Sequence, residues 1–291
     1  MPNYKEPLYR PPSEAHSLIF QITEGCSYNK CAFCGMYLSK PFKLKPVEEV
    51  LREIDEIPEH YAGSVHKVFL ADGDAAIYPT EGLLQILEHM NRKFPNIRRY
   101  SSYCGPQAIM KKPIEDWQKL YDAGLKLMYF GLESGNKEVL RLMNKGMDAF
   151  KIMPKVKQIK AIGMQFSVMI ILGGGGRKLK QQHIEDSAKW VSEVNPDFMS
   201  FLTLFLRRKK DYFNNLEKPT MSDIVDETRG IIERVEGRNI IFRSNHVSNF
   251  VPLSGRLSQD RDKLLAQIDQ TRDIMRERGV LNEYPDFYEE F

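Results

Sequence analysis

Short apolar segments alternate with amphipathic segments over the first two thirds of the chain, and this alternation restricts the fold more than any other feature. Continuous apolar strands that alternate with helices form parallel sheets whose faces are covered by helices. Strands are predicted at residues 18–22, 68–71, 97–103, 127–131, 166–172 and 198–206. Helical patterns lie between them at residues 47–57, 83–90, 117–121, 139–143 and 181–194. Six such units are too few for a complete eight-unit barrel.

The remaining segments flank these units. Residues 1–16 are rich in proline and polar side chains and are predicted to form an extended arm. Beyond the sixth strand, residues 219–234 and 260–279 have helical patterning, and residues 239–242 are predicted to form a seventh strand. The acidic and aromatic residues 284–291 are expected to form a packing arm or a lid. We predict one α/β domain, with an N-terminal arm at 1–17, a barrel core at 18–210 and an α-rich C-terminal extension at 211–291.

Composition limits the classes of function. A chain of 291 residues with 42% hydrophobic content can bury a sizeable core. The net charge is +3 and the basic residues are spread along the chain, so we expect no nucleic-acid binding. No apolar run approaches the roughly 18 residues that span a bilayer, and the N-terminus has no apolar signal segment. We therefore expect a cytoplasmic protein with no membrane partner.

Three of the four cysteines, Cys26, Cys31 and Cys34, lie close together after the first predicted strand. Two thiols at C-x-x-C spacing with a third just upstream can close on one metal centre. A structural zinc site needs four ligands, and neither His16 nor His60 has the spacing of a fourth zinc ligand. Three thiols on an iron–sulfur cubane would leave one iron open to a chelating small molecule. The pattern predicts a metal site and favours iron–sulfur over zinc.

The cysteine loop, with Phe33 just before its last cysteine, resembles that of the radical SAM enzymes. The resemblance extends over the first two thirds of the chain through motifs that occur in the same order. The first gap has four residues where the family usually has three, so the loop departs from the usual spacing. The segments 10–15 and 243–249 resemble those of a branch of small, single-domain members.

The resemblance implies a partial (βα)6 TIM-like barrel whose open side receives the substrate. It implies that Cys26, Cys31 and Cys34 hold a [4Fe–4S] cluster and that S-adenosylmethionine (SAM) chelates the fourth iron. Reductive cleavage of SAM, with flavodoxin or ferredoxin as electron donor, would then give a 5′-deoxyadenosyl radical that acts on a small molecule. The rival hypothesis is a non-catalytic carrier on the same barrel, which would bind the cluster and SAM, or a haem-type cofactor, without turnover.

Ligand sites of parallel α/β folds lie at the carboxyl ends of the strands, so polar residues there are the first candidates. The second strand ends in Asp72, Gly73 and Asp74, which form either a solvated turn or a pair of acids that faces an amine. Radical SAM enzymes have a Gly-Gly-Glu-like element here that holds the amino group of SAM. The resemblance implies that these three residues bind the cofactor.

The fourth strand is followed by Glu133 and Ser134. The carboxylate can accept hydrogen bonds from a ribose diol, and the serine hydroxyl can instead cap the next helix. The family has an acidic-Ser-Gly element here near the ribose and methionine portions of SAM, so the resemblance implies cofactor binding by both residues. Lys145 is predicted to pair with a carboxylate in the same site, with a solvated lysine at a helix end as the alternative.

Four consecutive glycines, residues 173–176, follow the fifth strand. They let the backbone approach a ligand, which suits adenine binding at Gly173 and Gly174, or they form a flexible loop. After the sixth strand, relatives have a turn with glycine or proline, whereas residues 207–211 of this chain are Arg-Arg-Lys-Lys-Asp. We therefore expect the side of the barrel that receives the substrate to differ from that of relatives.

Two further residues are candidates for chemistry. Cys104 follows the third strand, and a lone cysteine is usually a small core residue, so we do not predict it to be a ligand. With only Cys104 outside the loop, an auxiliary cluster lacks ligands, which argues against methylthiotransferases and similar members. His246 lies among polar residues after an apolar strand and is a candidate catalytic proton donor or a hydrogen-bonded structural histidine.

Overall fold

The structure is a computed structural model that describes residues 3–204 and 210–284. Its strands are β1 (Leu18–Gln21), β2 (Thr23–Glu24), β3 (Lys43–Leu44), β4 (Lys67–Ala71), β5 (Arg99–Tyr103), β6 (Leu125–Glu133), β7 (Gln165–Leu172), β8 (Phe198–Thr203), β9 (Ile241–Arg243) and β10 (Ser254–Arg256). Its α-helices are α1 (Val47–Asp55), α2 (Glu59–Ala62), α3 (Thr80–Lys93), α4 (Pro106–Lys111), α5 (Ile114–Asp122), α6 (Lys137–Leu142), α7 (Ala149–Ala161), α8 (Lys180–Val194), α9 (Met221–Arg234) and α10 (Leu257–Glu277). Three 3-10 helices lie at Pro12–Glu14, Ala75–Ile77 and Lys210–Asn215.

Eight strands form one sheet in the order β1-β4-β5-β6-β7-β8-β9-β10, and β2 pairs with β3 in a separate antiparallel pair. The pairs from β1 to β6 are parallel, as are the pairs from β7 to β9, whereas β10 is antiparallel to β9. The strand order is linear, and within the described residues no pairing between β1 and β10 closes the sheet. The predicted partial α/β barrel is confirmed.

The predicted strands correspond to β1, β4, β5, β6, β7 and β8, and the predicted seventh strand corresponds to β9. The expectation of an α-rich extension omitted β10, which is only three residues long. The pattern also did not predict α7, since Pro154 lies inside that helix and proline usually marks a helix boundary. Of the predicted basic turn, residues 207–209 lie outside the described residues, and so do residues 285–291 of the predicted C-terminal arm or lid.

The described residues divide into two compact units. The first comprises residues 3–29, 36–130 and 155–166, and the second comprises 30–35, 131–154, 167–204 and 210–284. The predicted boundaries at 17/18 and 210/211 remain a prediction. Among these described residues, no helix combines the length and the apolar character needed to cross a bilayer.

Each unit has its own buried side chains. In the first unit, β1, β4 and β5 contribute the fully buried Phe20, Phe69 and Tyr100. In the second, Phe201 of β8 and Phe242 of β9 stack edge to face with ring centroids 4.9 Å apart. Burying an aromatic side chain stabilises a fold by about 1.5–3 kcal/mol, so these residues hold the strands whose ends carry the candidate site.

The N-terminal arm is anchored in the first unit by a carboxylate. Glu14 is fully buried, and its Oε1 accepts hydrogen bonds from Arg99 Nη2 at 2.7 Å and from the Tyr129 hydroxyl at 2.5 Å. Its Oε2 accepts a hydrogen bond from the Ser17 hydroxyl. The prediction of an extended arm is wrong at Pro12–Glu14, which form a 3-10 helix, because two distant donors, Arg99 and Tyr129, hold the glutamate inside.

Candidate functional site

The end of β4 carries Asp72, a fully buried carboxylate with a dense set of donors in the first unit. Its Oδ2 accepts hydrogen bonds from Gln21 Nε2 at 3.0 Å and from the Gly25 backbone N–H at 2.8 Å. The Lys40 ammonium lies 2.7 Å from the same oxygen, and its side chain is also buried. Burial raises the pKa of Asp72, whereas Lys40 and the other donors act in the opposite direction. Burial has the larger effect, so the pKa of Asp72 is raised overall, and Lys40 opposes that rise.

Two buried polar atoms beside this ion pair have no hydrogen-bond partner among the described residues: Asp72 Oδ1 and the Tyr37 hydroxyl. The Tyr37 ring lies against Gly73, where an added Cβ would be 2.6 Å from Tyr37 Cε2 and 3.1 Å from Cys26 Cβ. Lys40 Nζ is 5.9 Å from the centroid of the same ring. An unpaired buried polar group costs roughly 1–3 kcal/mol. The turn after β4 thus places an acceptor without a partner beside the first cysteine.

Gly73 and Asp74, which are also predicted site residues, make contacts that hold the turn after β4 in place. Gly73 fits only without a side chain, and its N–H donates to Gly25 O at 3.1 Å. Asp74 Oδ1 accepts from the Gly105 N–H at 2.6 Å, and Oδ2 accepts from the Ser27 hydroxyl. Both oxygens of Asp74 therefore tie the cysteine loop to the end of β5, which makes Asp72 the better candidate for binding an amine.

The segment that carries Cys31 and Cys34 belongs to the second unit. None of the four cysteines forms a disulfide, and the three in the loop are partly exposed. Phe33 packs against a buried cluster formed by Val139, Met143, Ile171 and Leu204. This apolar contact holds the loop between the two cysteines, both of which are partly exposed.

Glu133 and Lys145 form a partly buried ion pair in the second unit, with Lys145 Nζ 2.7 Å from Glu133 Oε1. Burial lowers the pKa of Lys145, but the carboxylate of Glu133 and the nearby Cys31 and Cys34 outweigh burial and raise it. Lys145 is therefore positively charged beside these cysteines. The alternative of a solvated lysine is wrong, because the side chain is 13% exposed.

The backbone around Glu133 is arranged for this contact. Glu133 has φ of 62°, a left-handed conformation that costs a non-glycine residue about 1–2 kcal/mol. A side chain at Gly131 would collide with Glu133 and lie 3.0 Å from Lys145 Nζ. Glu133 Oε2 is buried without a hydrogen-bond partner in the described part of the chain. As at Asp72, one carboxylate oxygen is held by a lysine and the other is available.

Ser134 is fully buried and organises the turn after β6. Its hydroxyl accepts a hydrogen bond from the Asn136 N–H at 2.9 Å and lies 2.8 Å from His183 Nδ1. The next helix is capped by Asn136, whose Oδ1 accepts from the backbone of Glu138 at 3.0 Å. The capping alternative for Ser134 is wrong, because Asn136 occupies the N-cap position. Ser134 fixes the turn from which Glu133 projects.

The glycine run after β7 is closely packed, so the alternative of a flexible loop is not supported. Gly173 has φ of 80°, and an added Cβ would lie 2.8 Å from Ile224 Cδ1. A side chain at Gly174 would collide with Met143, and the carbonyl of Gly174 accepts a hydrogen bond from the Tyr212 hydroxyl at 2.8 Å. These contacts hold the backbone at the end of β7 in one conformation.

Glu227 of α9 holds the glycine turn after β7 through a hydrogen bond to its backbone. It is fully buried, and its Oε2 accepts a hydrogen bond from the Gly173 N–H at 2.5 Å. Its neighbour His183 has Nε2 3.9 Å from that oxygen. Burial raises the pKa of Glu227 to about 8 and lowers the pKa of His183 to about 4. At neutral pH the pair is uncharged.

The free energy of unfolding of Glu227→Gln, relative to that of the wild type, is expected to increase as pH rises. The native carboxyl binds its proton more tightly than the unfolded one, so its stabilising effect is complete below pH 4.5 and is lost as pH rises through about 8. The free-energy difference between the two proteins should change by on the order of 3 kcal/mol between pH 5 and pH 8, as measured by urea unfolding. A difference that does not vary with pH would contradict the assigned protonation state.

The two remaining sequence candidates are His246 and Cys104. The His246 imidazole is exposed, and its Nδ1 accepts a hydrogen bond from the Ser248 N–H at 3.1 Å within its own turn. Its catalytic role remains a prediction, and these contacts favour the structural alternative. Cys104 is buried, and burial raises the pKa of its thiol well above the ordinary value, which makes it a poor metal ligand.

Sequence reasoning did not identify the residues that hold the candidates in place: Gln21, Tyr37, Lys40, His183 and Glu227. None of them lies in a motif, and their roles depend on contacts with residues far away in the sequence. Within residues 3–204 and 210–284, no three His, Cys, Asp or Glu side chains are gathered around one metal position. The ligand set therefore rests on the sequence pattern and on the family.

The family model described as the radical SAM superfamily matches residues 20–191, which is more than half of the chain. The chain belongs to the radical SAM superfamily. The match includes the cysteine loop, the turn after β4, the Glu133–Lys145 pair and the glycine run. Radical SAM proteins use a [4Fe–4S] cluster and SAM, and one structural neighbour has its [4Fe–4S] cluster bound.

Two curated radical SAM relatives illustrate the range of similarity. The 4′-phospho-dehydrooxetanocin synthase of Priestia megaterium is 23% identical over 54% of this chain and 23% of its own length. The tRNA-2-methylthio-N(6)-dimethylallyladenosine synthase of Xanthomonas euvesicatoria is 26% identical over 73% of this chain and 46% of its own length. The chain thus spans less than half the length of either relative.

Solved structures of radical SAM proteins share the fold. Coproporphyrinogen III oxidase from Escherichia coli aligns with a TM-score of 0.56 at 19% identity, over 75% of this chain and 52% of the other. Methylornithine synthase aligns with a TM-score of 0.53 at 14% identity, over 89% of this chain and 85% of the other. At these identities the likeness concerns the fold alone.

The residues of this radical SAM protein fit the cofactors of its family. Cysteine thiols that form no disulfide and are partly exposed are the ligand type that holds iron–sulfur clusters. Asp72 Oδ1 is a buried acceptor without a partner, as an ammonium group needs, and Glu133 Oε2 is a second such acceptor, suited to hydroxyl donors. Taken unit by unit, the thiols suit an iron–sulfur cluster, and each unpaired carboxylate oxygen suits a hydrogen-bond donor of SAM.

Proposed function

We propose that this chain is a radical SAM enzyme that reductively cleaves SAM at a [4Fe–4S] cluster and acts on a small-molecule substrate. The observation that carries the proposal is the three-thiol loop at Cys26, Cys31 and Cys34 inside the region that matches the superfamily. Three protein ligands leave one iron for the amino and carboxylate groups of SAM. When bound, the cluster supplies the electron that cleaves the sulfonium and releases a 5′-deoxyadenosyl radical.

The protein side chains then bind and orient SAM. Asp72 would accept a hydrogen bond from the amino group through Oδ1, while Lys40 holds its Oδ2. Glu133 would accept from the ribose hydroxyls through Oε2, while Lys145 holds Oε1. Each carboxylate is fixed by a lysine, so little side-chain entropy is lost when the ligand binds. Phe33, Ser134, Gly173 and Gly174 would shape the remaining walls.

A source of electrons is part of this proposal, and flavodoxin or ferredoxin would serve. An auxiliary cluster is not part of it, since Cys104 is the one cysteine outside the loop and is buried.

The rival function is a carrier of the cluster and SAM, or of a haem-type cofactor. The paired lysine and carboxylate contacts at Asp72 and Glu133 support a site that orients SAM, which a carrier does not require.

Anaerobic reconstitution with iron and sulfide, followed by dithionite reduction with SAM, tests the proposal. We expect a cluster absorbance in the visible range and formation of 5′-deoxyadenosine, quantified by chromatography. A control without dithionite should give no product, because the cleavage needs an electron. A cluster without SAM cleavage would support the carrier, and bound zinc without a cluster would contradict both functions.

A further inference from the structure

The turn at the end of α6 contacts the backbone on both sides of Cys31. Asn144 Nδ2 donates a hydrogen bond to the carbonyl of Lys30 at 2.8 Å. The N–H of Ala32 donates to the carbonyl of Met143, also at 2.8 Å. Both contacts lie within the second unit. The backbone immediately before and after the cysteine is thus held by two adjacent residues of one turn.

Asn144 is suited to this position for two reasons. Its φ is 46°, a left-handed conformation that asparagine adopts more readily than other non-glycine residues. Its side-chain amide supplies the N–H donor that reaches Lys30. Glycine would satisfy the first requirement and not the second, so the backbone and side-chain contributions of Asn144 can be separated by substitution.

Neighbouring contacts extend the support from Cys31 to Cys34. The Cys34 N–H donates to the carbonyl of Cys31 at 3.3 Å, which closes a short turn between them. Phe33 in that turn packs against the buried cluster that includes Met143, the residue before Asn144. One end of α6 therefore positions the backbone of two of the three cysteines.

We infer that Asn144 is a positioning residue for the cluster ligands: through the carbonyl of Lys30, it fixes the backbone from which the Cys31 thiol projects. The inference rests on the proposed function, which supplies the cluster. A ligand loop that is ordered before it binds loses less conformational entropy on binding. Partners that orient metal ligands typically contribute 10–100-fold to metal affinity.

Two variants isolate the side-chain amide. Asn144→Gly keeps the left-handed backbone and removes the donor, whereas Asn144→Asp keeps the shape and replaces the donor with an acceptor. The matched control is Asn195→Gly. Asn195 is another left-handed asparagine of the second unit, with φ of 50°, and its Oδ1 accepts a hydrogen bond from the Arg238 N–H at 2.6 Å.

The proteins would be reconstituted anaerobically, and iron release to a chelator would be followed by visible absorbance, with iron content and the EPR spectrum of the reduced cluster recorded before release. We expect Asn144→Gly and Asn144→Asp to release iron roughly tenfold faster than the wild type and to show a changed EPR signal. Asn195→Gly should release iron at the wild-type rate. Thermal unfolding of each apo-protein separates a loss of folding from a loss of cluster retention.

The outcomes separate this inference from the proposed function. If the wild type takes up no cluster, the proposed function fails and the inference fails with it. If the wild type holds a cluster and Asn144→Gly retains iron as firmly with an unchanged EPR signal, the inference alone is overturned. Faster release from Asn195→Gly to the same extent would also overturn it, because the effect would then be general destabilisation.

Discussion

Replacing Cys26, Cys31 or Cys34 with alanine is expected to reduce cluster iron and SAM cleavage to background. Each variant would leave two thiolates for a cluster that depends on three. A second iron would then lack a protein ligand, and the cluster would not be retained. The measurement is iron and sulfide content after anaerobic reconstitution, together with 5′-deoxyadenosine formed under dithionite reduction. The side chains are partly exposed, so their loss should not unfold the protein.

Cys104→Ala is the matched control for these three variants. Its thiol is buried and its pKa is raised by burial, so we expect full cluster content and normal SAM cleavage. Removing the buried sulfur should lower the free energy of unfolding by about 1 kcal/mol. SAM cleavage that persists in all three loop variants would exclude the proposed cluster site, and cluster loss in Cys104→Ala would show that a ligand had been missed.

Lys40→Met is expected to lower the free energy of unfolding by roughly 3–5 kcal/mol, because it leaves the carboxylate of Asp72 buried without its opposite charge. The ammonium also donates to the carbonyl of Pro7 at 3.0 Å and to that of Lys5, so the N-terminal arm loses an anchor as well. Burial already raises the pKa of Asp72, so the variant should be destabilised less at low pH, where the aspartate is protonated. Urea unfolding of the apo-protein at two pH values measures both effects.

The double variant Lys40→Met/Asp72→Asn tests the cause. It carries neither buried charge and should recover at least half of the stability lost in Lys40→Met. Lys119→Met is the control for an exposed pair, because Lys119 lies 3.6 Å from Asp116 with its side chain 62% exposed, and its loss should cost no more than about 0.5 kcal/mol. A double variant as unstable as the single one would show that the arm anchor, rather than the ion pair, carries the effect.

The strand positions were predictable because their pattern is local. Apolar runs at β1, β4, β5, β6, β7 and β8 are each bounded by turn residues, and the parallel arrangement follows from the helices between them. The ends of these strands carry the candidate residues for the same reason. Where the local pattern is weak, as in the three-residue β10, or misleading, as at Pro154 of α7, the prediction failed.

The sequence did not allow us to predict which of the two acids after β4 has an unpaired carboxylate oxygen. Asp72 and Asp74 have the same chemistry and are separated by one glycine, yet Asp74 has both oxygens bound within the chain and Asp72 has one unpaired. The difference depends on donors from Gln21, Lys40 and Gly105, which are distant in sequence. Local pattern cannot distinguish the two residues because hydrogen-bond partners are set by the fold.

The sequence by itself determined the α/β architecture and the family, because these depend on periodicity and on spacing along the chain, and it is also the basis on which Cys26, Cys31 and Cys34 are proposed as ligands. Only the tertiary structure decided which carboxylate oxygens are unpaired and that Lys145 is a partly buried cation paired with Glu133. It also showed Asn144 donating to the backbone before Cys31. Charge state and hydrogen bonding depend on burial and on which distant groups fold against a residue, and neither is encoded in a short stretch of sequence.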